Sequence, residues 1–146
     1  DVVVQFVRNA VYHGLEDSED RQAAGKSAVG RVDVVCANTE DGGFKLTVKD
    51  DGRGLDAETI RIAAIRKGML SAEAAVNLED RKVVAMIFKP GFSTAEEVGA
   101  HAGRGVGMDI VKSKVEAAGG RIRISTRPGV MTAFGIQLPA KTSIAA

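Results

Sequence analysis

The sequence has few of the residues that build disulfide frameworks, metal clusters and aromatic surfaces. Its 146 residues include one cysteine, Cys36, two histidines and no tryptophan, and 4% of them are aromatic. A single cysteine excludes an internal disulfide and a cysteine-rich metal site. The scarce aromatics are not interleaved with basic residues, so nothing in the sequence indicates nucleic-acid binding.

The sequence also lacks a strong net charge and long apolar runs. Its formal net charge is +1, which gives no bulk electrostatic attraction to nucleic acid or to an anionic membrane. No apolar run approaches a membrane span and no signal-peptide pattern opens the chain, so we expect a cytoplasmic protein without direct membrane insertion. The length fits one domain over residues 1–146. Because the first residue is Asp1 rather than methionine, we interpret the chain as a fragment of a larger protein.

Hydrophobic periodicity predicts both helices and strands. Helices are expected over 2–16, over 56–68 with Asp56 at its start, and over 107–118. The stretch 71–87 is expected to contain one or two helical pieces, with Ser71 as a candidate N-cap. Strands are expected to begin near Val32, Phe44, Ile122 and Thr132. The polar stretch 17–30 and the glycine-rich stretch 88–106 are predicted to be loops. These elements predict an α+β fold: a two-layer sandwich with helices on one face of a mixed, mostly antiparallel sheet.

The first predicted helix has an apolar side and a polar side. Five apolar residues fall on one side at helical spacing: Val3, Val4, Val7, Val11 and Leu15. A helix of this kind normally buries its apolar side. Asn9 and His13 lie on the other side, and their i, i+4 spacing predicts that they share a face. Helix geometry alone favours a solvated polar surface for these two residues.

The position of Asp50 in the second predicted strand is the clearest indication of a chemical role for a single residue. Alternation in the second strand puts Phe44, Leu46, Val48 and Asp50 on one face. A carboxylate in line with an apolar face points inward, where it needs hydrogen-bond donors. An adenine amino group is a suitable donor, and a carboxylate acceptor favours adenine over guanine. From the strand alone, the simpler interpretation is that Asp50 is a turn residue beside Gly52.

Four short blocks occur in one order along nearly the whole chain. They are residues 8–13 (RNAVYH), 50–54 (DDGRG), 88–94 (FKPGFST) and 103–107 (GRGVG). Together they resemble the N box, first glycine box, F box and second glycine box of the GHKL ATPase superfamily. The amino-acid sequences of these blocks are most similar to those of the catalytic ATP-binding domain of CheA-type histidine kinases. A Walker P-loop is excluded, because no GxxxxGK[ST] occurs.

This resemblance implies the Bergerat fold, N-terminally truncated here, with ATP and Mg²⁺ as ligands. In the family the N-box asparagine, which matches Asn9, gives an oxygen to Mg²⁺. Arg8 and His13 match positions near the phosphates, and His13 and Asn9 are the implied catalytic residues. Thr132 matches a threonine near the adenine, although an ordinary buried strand threonine fits the sequence nearly as well.

The glycine blocks complete the implied site. Asp50, Gly52 and Gly54 are implied to contact the adenine. The implied phosphate contacts are Gly103, Arg104, Gly105, Val106, Gly107 and Met108. A glycine loop that leads into a helix presents backbone N–H groups to an anion, but an ordinary glycine loop before a helix fits the same pattern. The stretch 93–103 resembles the ATP lid.

The implied function is that of a protein histidine kinase in two-component, chemotaxis-like signalling. The γ-phosphoryl group would pass to a histidine on a separate phosphotransfer (HPt-type) domain. The other implied partners are a response regulator and the receptor, adaptor and dimerisation domains of the parent protein. The alternative is a nucleotide-sensing or catalytically weakened binding module, and a GHKL ATPase of another branch is a third interpretation.

Some positions depart from the family pattern. CheA-type kinases commonly have His at Gln5, Asp-His at Tyr12-His13, and basic residues at Thr59 and Ala63. The nearby basic residues considered as substitutes are Arg61, Arg66 and Lys67. Adenine binding is therefore better supported by the sequence than complete phosphotransfer.

Overall fold

The computed structural model describes residues 2–92 and 107–140 of the protein. In chain order the elements are α1 (Val2–Asn9), a π-helix (Ala10–Gly14), α2 (Ser18–Ala23), β1 (Val32–Asn38), β2 (Phe44–Asp50), α3 (Ala57–Arg66), α4 (Ala72–Asn77), α5 (Asp80–Val84), a 3₁₀-helix (Ala85–Phe88), α6 (Met108–Ala117), β3 (Arg121–Arg127) and β4 (Met131–Leu138). The chain divides into two compact units, residues 1–54 with 114–146 and residues 55–113. The predicted lid, 93–103, lies outside the described residues.

The first unit contains a sheet with the strand order β1-β2-β4-β3. Each described pair of neighbouring strands is antiparallel. Gly42 and Gly129 lie between paired strands and have φ values of 78° and 74°, a backbone conformation that glycine adopts without strain. The predicted α+β class is confirmed, and the described sheet is antiparallel throughout rather than mixed.

One face of this sheet carries the core of the first unit. Leu46 and Val48 of β2 and Phe134 and Ile136 of β4 are buried, and they face each other across the strand pair. The ring of Phe6 from α1 stacks on Phe134, with centroids 4.7 Å apart and planes at 9°. This contact places α1 on the buried face of the sheet, as the two-layer prediction requires for this unit.

The first helix differs from the prediction in its buried side and in its type. Phe6 and Ala10 are 1% and 4% exposed, whereas Val4 and Val11 are 59% and 51% exposed. After α1 the chain continues as a π-helix, closed by a bond from the Leu15 N–H to the Ala10 carbonyl at 2.7 Å. The prediction of one continuous helix over 2–16 is therefore wrong, and Val4 and Val11 of its apolar side are exposed. Phe6 buries more apolar area than a valine and sets the orientation, and the π turn interrupts the 3.6-residue repeat.

A short helix, α2, lies within the predicted loop 17–30. Its N-cap is Asp17, whose carboxylate accepts a hydrogen bond from the Asp20 N–H at 2.9 Å. Arg21 in this helix is buried, with 1% of its surface exposed. The prediction of a loop missed this helix, because six residues without an apolar repeat give no periodic signal.

The second unit is helical. The side chain of Asp56 caps α3 by accepting from the Thr59 N–H at 3.0 Å, and Ser71 caps α4 by accepting from the Ala74 N–H at 3.1 Å. The structure confirms both predicted helix starts. The stretch 71–87 divides into α4, α5 and most of the 3₁₀-helix. Buried residues of this unit include Ile60, Ala64, Val83, Met86 and Phe88.

Helix α6 has the predicted buried residues with one exception. Met108, Val111 and Val115 are 5%, 1% and 4% exposed. Ala118, predicted to lie on the same side, is exposed because the helix ends at Ala117. Within residues 2–92 and 107–140, no helix combines the length and the apolar character that crossing a membrane requires.

Candidate functional site

Asp50 ends β2 on the buried face of the sheet. Its residue surface is 5% exposed, and its Oδ1 accepts a hydrogen bond from the Gly52 N–H at 2.9 Å. Burial is the main cause that raises the pKa of this carboxyl group. The charges of Asp51 and Glu16 raise the pKa further, and backbone hydrogen bonds from Gly52 and Thr132 act against the rise. A buried carboxyl group with a perturbed pKa is typical of functional sites.

Thr132 of β4 lies directly opposite Asp50 in the strand register. Its residue surface is 5% exposed, and its hydroxyl lies 3.5 Å from the hydroxyl of Thr126 on β3. Two of the residues that the resemblance assigned to the adenine, Asp50 and Thr132, are therefore neighbours at one end of the buried face.

Three glycines pack closely around the turn that follows β2. A Cβ on Gly14 would lie 3.2 Å from the Asp50 carboxylate, and a Cβ on Gly52 would overlap the Gly14 carbonyl. Gly54 has a φ of 68°, and a Cβ there would overlap the Arg127 carbonyl. Backbone packing within the protein thus requires glycine at 52 and 54, and their contact with a nucleotide stays a prediction. Gly14 was not among the site residues predicted from the sequence.

The polar side of α1 places Asn9 against Gln5. Nε2 of Gln5 donates a hydrogen bond to Oδ1 of Asn9 at 3.0 Å, and Asn9 is half-buried. His13 lies in the π-helix and is exposed, so the i, i+4 argument for a face shared with Asn9 does not carry over. Arg8, in the last turn of α1, is half-buried. The roles of these three residues at the phosphates stay predictions.

The described residues offer few ligand groups to a metal ion. No group of three or more His, Cys, Asp or Glu side chains within the described residues is placed to hold one. Asn9 offers an amide oxygen, a ligand type that suits Mg²⁺. Gln5 already donates to this oxygen at 3.0 Å, so it competes with a metal ion for the acceptor. Asn9 would supply one ligand oxygen to Mg²⁺, and phosphate oxygens and water would have to supply the others.

The second glycine box is described only from Gly107 onwards. Met108 begins α6, and the Asp109 carboxylate lies where it would overlap a Cβ on Gly107. A negative charge in the first turn interacts favourably with the helix N-terminus. The remaining predicted phosphate contacts lie outside the described residues: Gly103, Arg104, Gly105 and Val106.

Arg61, considered as a basic substitute near the phosphates, is engaged within the second unit. Its guanidinium binds two carbonyls and two carboxylates, those of Ala75, Leu78, Glu58 and Asp80. These bonds tie α3 to α4 and α5, so Arg61 is not available for the substitute role. Lys67 donates to the Phe92 carbonyl and lies over its ring, 5.1 Å from the centroid. Arg66 is exposed.

A cluster of four charged residues, not predicted from the sequence, lies behind the turn that follows β2. This cluster consists of Glu16, Arg21, Lys26 and Asp51. Arg21 lies 3.1 Å from Glu16 and 2.9 Å from Asp51, and Lys26 lies 2.6 Å from Glu16. Two of the four residues, Arg21 and Lys26, belong to the polar stretch 17–30, whose lack of periodicity gave no signal that the four residues meet.

Comparison with known proteins identifies the family. Residues 1–142 match the histidine kinase-, DNA gyrase B- and HSP90-like ATPases. The chain is 42% identical over 142 residues to the chemotaxis protein CheA of Rhizobium meliloti (strain 1021). It is 40% identical over 144 residues to the gliding motility regulatory protein of Myxococcus xanthus. The alignments cover 97% and 99% of this chain but 18% of each relative.

Solved structures agree in fold. The blue-light activated histidine kinase of Erythrobacter litoralis EL346 matches with a TM-score of 0.54 and 18% identity, over 97% of this chain and 29% of that chain. Its histidine kinase domain matches with a TM-score of 0.51 and 16% identity, over 95% of this chain and 42% of that chain. The family match, the chemotaxis relatives and the fold agree: the chain belongs to the histidine kinase-, DNA gyrase B- and HSP90-like ATPases and resembles the CheA-type kinases among them.

Proposed function

We propose that the protein binds ATP with Mg²⁺ and positions the γ-phosphoryl group for transfer to a histidine on a separate phosphotransfer domain. The observation that carries the nucleotide assignment is Asp50, a carboxylate that is 5% exposed on the buried face of the sheet. A carboxylate buried to this extent needs hydrogen-bond donors. The adenine amino group is a donor, whereas guanine has a carbonyl oxygen at the same position. This site therefore favours ATP over GTP.

The remaining residues of the first unit have supporting roles in this proposal. Thr132, opposite Asp50, contacts the adenine through water. The oxygen of Asn9 would hold Mg²⁺, whose charge would stabilise the phosphates, and Arg8 and His13 would donate to phosphate oxygens. Two further assignments from the second glycine box, Gly107 and Met108, supply backbone N–H groups at the start of α6. In such a site the protein mainly positions the phosphates and stabilises developing charge.

The transfer part of the proposal is supported by relatives. The chain is 38% identical to the sensor histidine kinase CheAY of Helicobacter pylori (strain ATCC 700392 / 26695) over 144 residues. Since the chain spans 18% of that relative, we place the acceptor histidine in an HPt-type domain elsewhere in the parent protein. A response regulator then takes the phosphoryl group, and receptor, adaptor and dimerisation domains control the reaction, in the cytoplasm.

Calorimetry tests the nucleotide assignment. ATP, ADP and GTP are titrated into the protein with and without Mg²⁺. We expect both adenine nucleotides to bind more tightly than GTP, and Mg²⁺ to improve ATP binding. Equal affinity for ATP and GTP would contradict the assignment of Asp50. Labelled ATP added to the full parent protein should then produce acid-labile phosphohistidine.

A second candidate function is a nucleotide-sensing module with weakened transfer. Three observations favour it: Gln5 bonds the proposed metal ligand Asn9, Arg61 is engaged elsewhere, and His13 is exposed. This module would bind nucleotide with the same adenine preference and signal its state to neighbouring domains. Nucleotide binding without phosphohistidine in the parent protein would favour this candidate over the kinase.

A further inference from the structure

We propose that Lys26 and Arg21 are positioning residues that orient the Asp50 carboxylate from behind the turn after β2. The inference rests on the proposed function, because it takes Asp50 as the adenine acceptor. Lys26 and Arg21 belong to the charged cluster defined above, and the proposed function assigns no member of that cluster a role.

The first peptide group of the turn joins Asp51 to Gly52. Its carbonyl accepts from Nη1 of Arg21 at 3.2 Å and from Nζ of Lys26 at 3.1 Å. Its N–H donates to Oδ1 of Asp50 at 2.9 Å. Since a peptide group is planar, holding the carbonyl also fixes the direction of the N–H. The two cations therefore aim this N–H at the Asp50 carboxylate.

The second peptide group, which joins Gly52 to Arg53, is held in the same way. Its carbonyl accepts from Nζ of Lys26 at 2.8 Å, and its N–H donates to the Gly14 carbonyl at 2.8 Å. The ammonium of Lys26 also donates to Glu16 at 2.6 Å. An ammonium has three N–H donors, so one group fixes two successive peptide planes and is itself anchored to Glu16.

Arg21 and Glu16 hold this arrangement in place. Arg21 is 1% exposed and donates to the Ser27 carbonyl at 2.7 Å, to Glu16 at 3.1 Å and to Asp51 at 2.9 Å. Burial alone would raise the pKa of Glu16, but the Lys26 hydrogen bond and the charges of Lys26 and Arg21 keep this pKa below its usual value. Because each buried ion depends on its partners, removal of Lys26 leaves Glu16 and the two carbonyls without their shared donor.

The experiment compares three variants. Lys26→Met removes the ammonium and keeps an apolar side chain of similar length, and Lys26→Arg keeps the charge. Lys49→Met is the matched control, since Lys49 directly precedes Asp50, is exposed and forms no salt bridge with a described residue. For each protein we measure amide hydrogen exchange at Gly52, affinity for ADP and for GDP, and the thermal unfolding temperature without nucleotide.

In Lys26→Met we expect exchange at Gly52 to be roughly tenfold faster and ADP binding roughly tenfold weaker, since losing a hydrogen bond to a charged group corresponds to about this factor. The preference for ADP over GDP should fall together with the affinity for ADP. Lys26→Arg should restore most of that preference, and Lys49→Met should match the unmodified protein. Unchanged Gly52 exchange and ADP affinity in Lys26→Met would overturn the inference. A lower unfolding temperature with an unchanged ADP-to-GDP ratio would also overturn it, in favour of a purely structural cluster.

The same measurements on Asp50→Asn separate this inference from the proposed function. If Asp50→Asn loses ADP affinity while Lys26→Met keeps it, the positioning role is wrong and the adenine assignment stands. If the unmodified protein binds neither ADP nor GDP, the adenine assignment fails, and Gly52 exchange alone decides whether Lys26 holds the turn. If Lys26→Met does not fold, Lys26→Gln replaces it, with the same direction of change expected at a smaller factor.

Discussion

The Gly52 N–H donates to Oδ1 of Asp50 at 2.9 Å, across a turn of two residues. This bond fixes the direction of a carboxylate that the sheet buries. An acceptor oriented in the free protein needs no reordering when a nucleotide binds, which favours affinity. Asp50 therefore contributes most to recognition if its charge and its orientation are both preserved.

Replacement of Asp50 by Asn should weaken ADP binding. The Asn side chain keeps the shape but presents a donor to the adenine amino group, and losing a charge-assisted hydrogen bond costs roughly 1.5–3 kcal/mol. Calorimetry at neutral pH measures the loss. Asp33→Asn is the matched control, because Asp33 on β1 forms a surface ion pair with Arg31, and this variant should bind ADP normally. Equal affinity in both variants and the unmodified protein would contradict the adenine assignment.

The same Asp50→Asn change should not destabilise the nucleotide-free protein at neutral pH. Burial raises the pKa of Asp50 in the folded state, so the fold disfavours the charged form. Above this raised pKa the charge lowers the free energy of unfolding, and the effect disappears as the pH falls towards the ordinary value of 3.8. The Asn variant should melt at the same or a higher temperature at pH 7, with its advantage shrinking in acid. A lower melting temperature at pH 7 would contradict this.

The stacking of Phe6 on Phe134 predicts which side of α1 stabilises the fold. Phe6→Ala should lower the free energy of unfolding by about 3–5 kcal/mol, because it leaves a cavity in the core. Val4→Ala should change the free energy by about 0.5 kcal/mol or less, since Val4 is 59% exposed. Urea titrations of both variants decide between the two sides. A larger loss in Val4→Ala would support the valine side that the sequence pattern favoured.

Strand alternation and helix caps were the parts of the fold that the sequence predicted best. Alternation placed Asp50 on the buried face of β2, and Asp56 and Ser71 cap the helices that they were expected to start. These features depend on residues a few positions apart. The position of a residue along a strand and the identity of a capping residue are local properties, so they can be predicted from a single sequence.

Features that depend on distant residues were missed. The buried side of α1 is set by Phe6 meeting Phe134 on β4, and Arg21 of α2 pairs with Asp51, which lies 30 residues further along the chain. The role of Gly14 depends on its approach to the Asp50 carboxylate. Local periodicity contains no information on such contacts. The roles of Asn9 and His13 came from the resemblance, and the structure leaves them as predictions.

The bond from Gln5 to Asn9 predicts opposite effects of two substitutions on the response to Mg²⁺. Asn9→Ala removes the proposed ligand oxygen, so Mg²⁺ should no longer improve ATP binding, while adenosine should bind as before. Gln5→Ala removes a donor, 3.0 Å from Asn9 Oδ1, that competes with the metal for this oxygen. Gln5→Ala should strengthen the Mg²⁺ response severalfold.

Calorimetry of ATP with and without Mg²⁺ measures both variants. Val4→Ala, an exposed change on the same helix, is the control. If Gln5→Ala weakens the response as Asn9→Ala does, Gln5 orients the ligand instead of competing with the metal. An unchanged response in Asn9→Ala would leave Asn9 a polar residue of the helix surface without a role in metal binding.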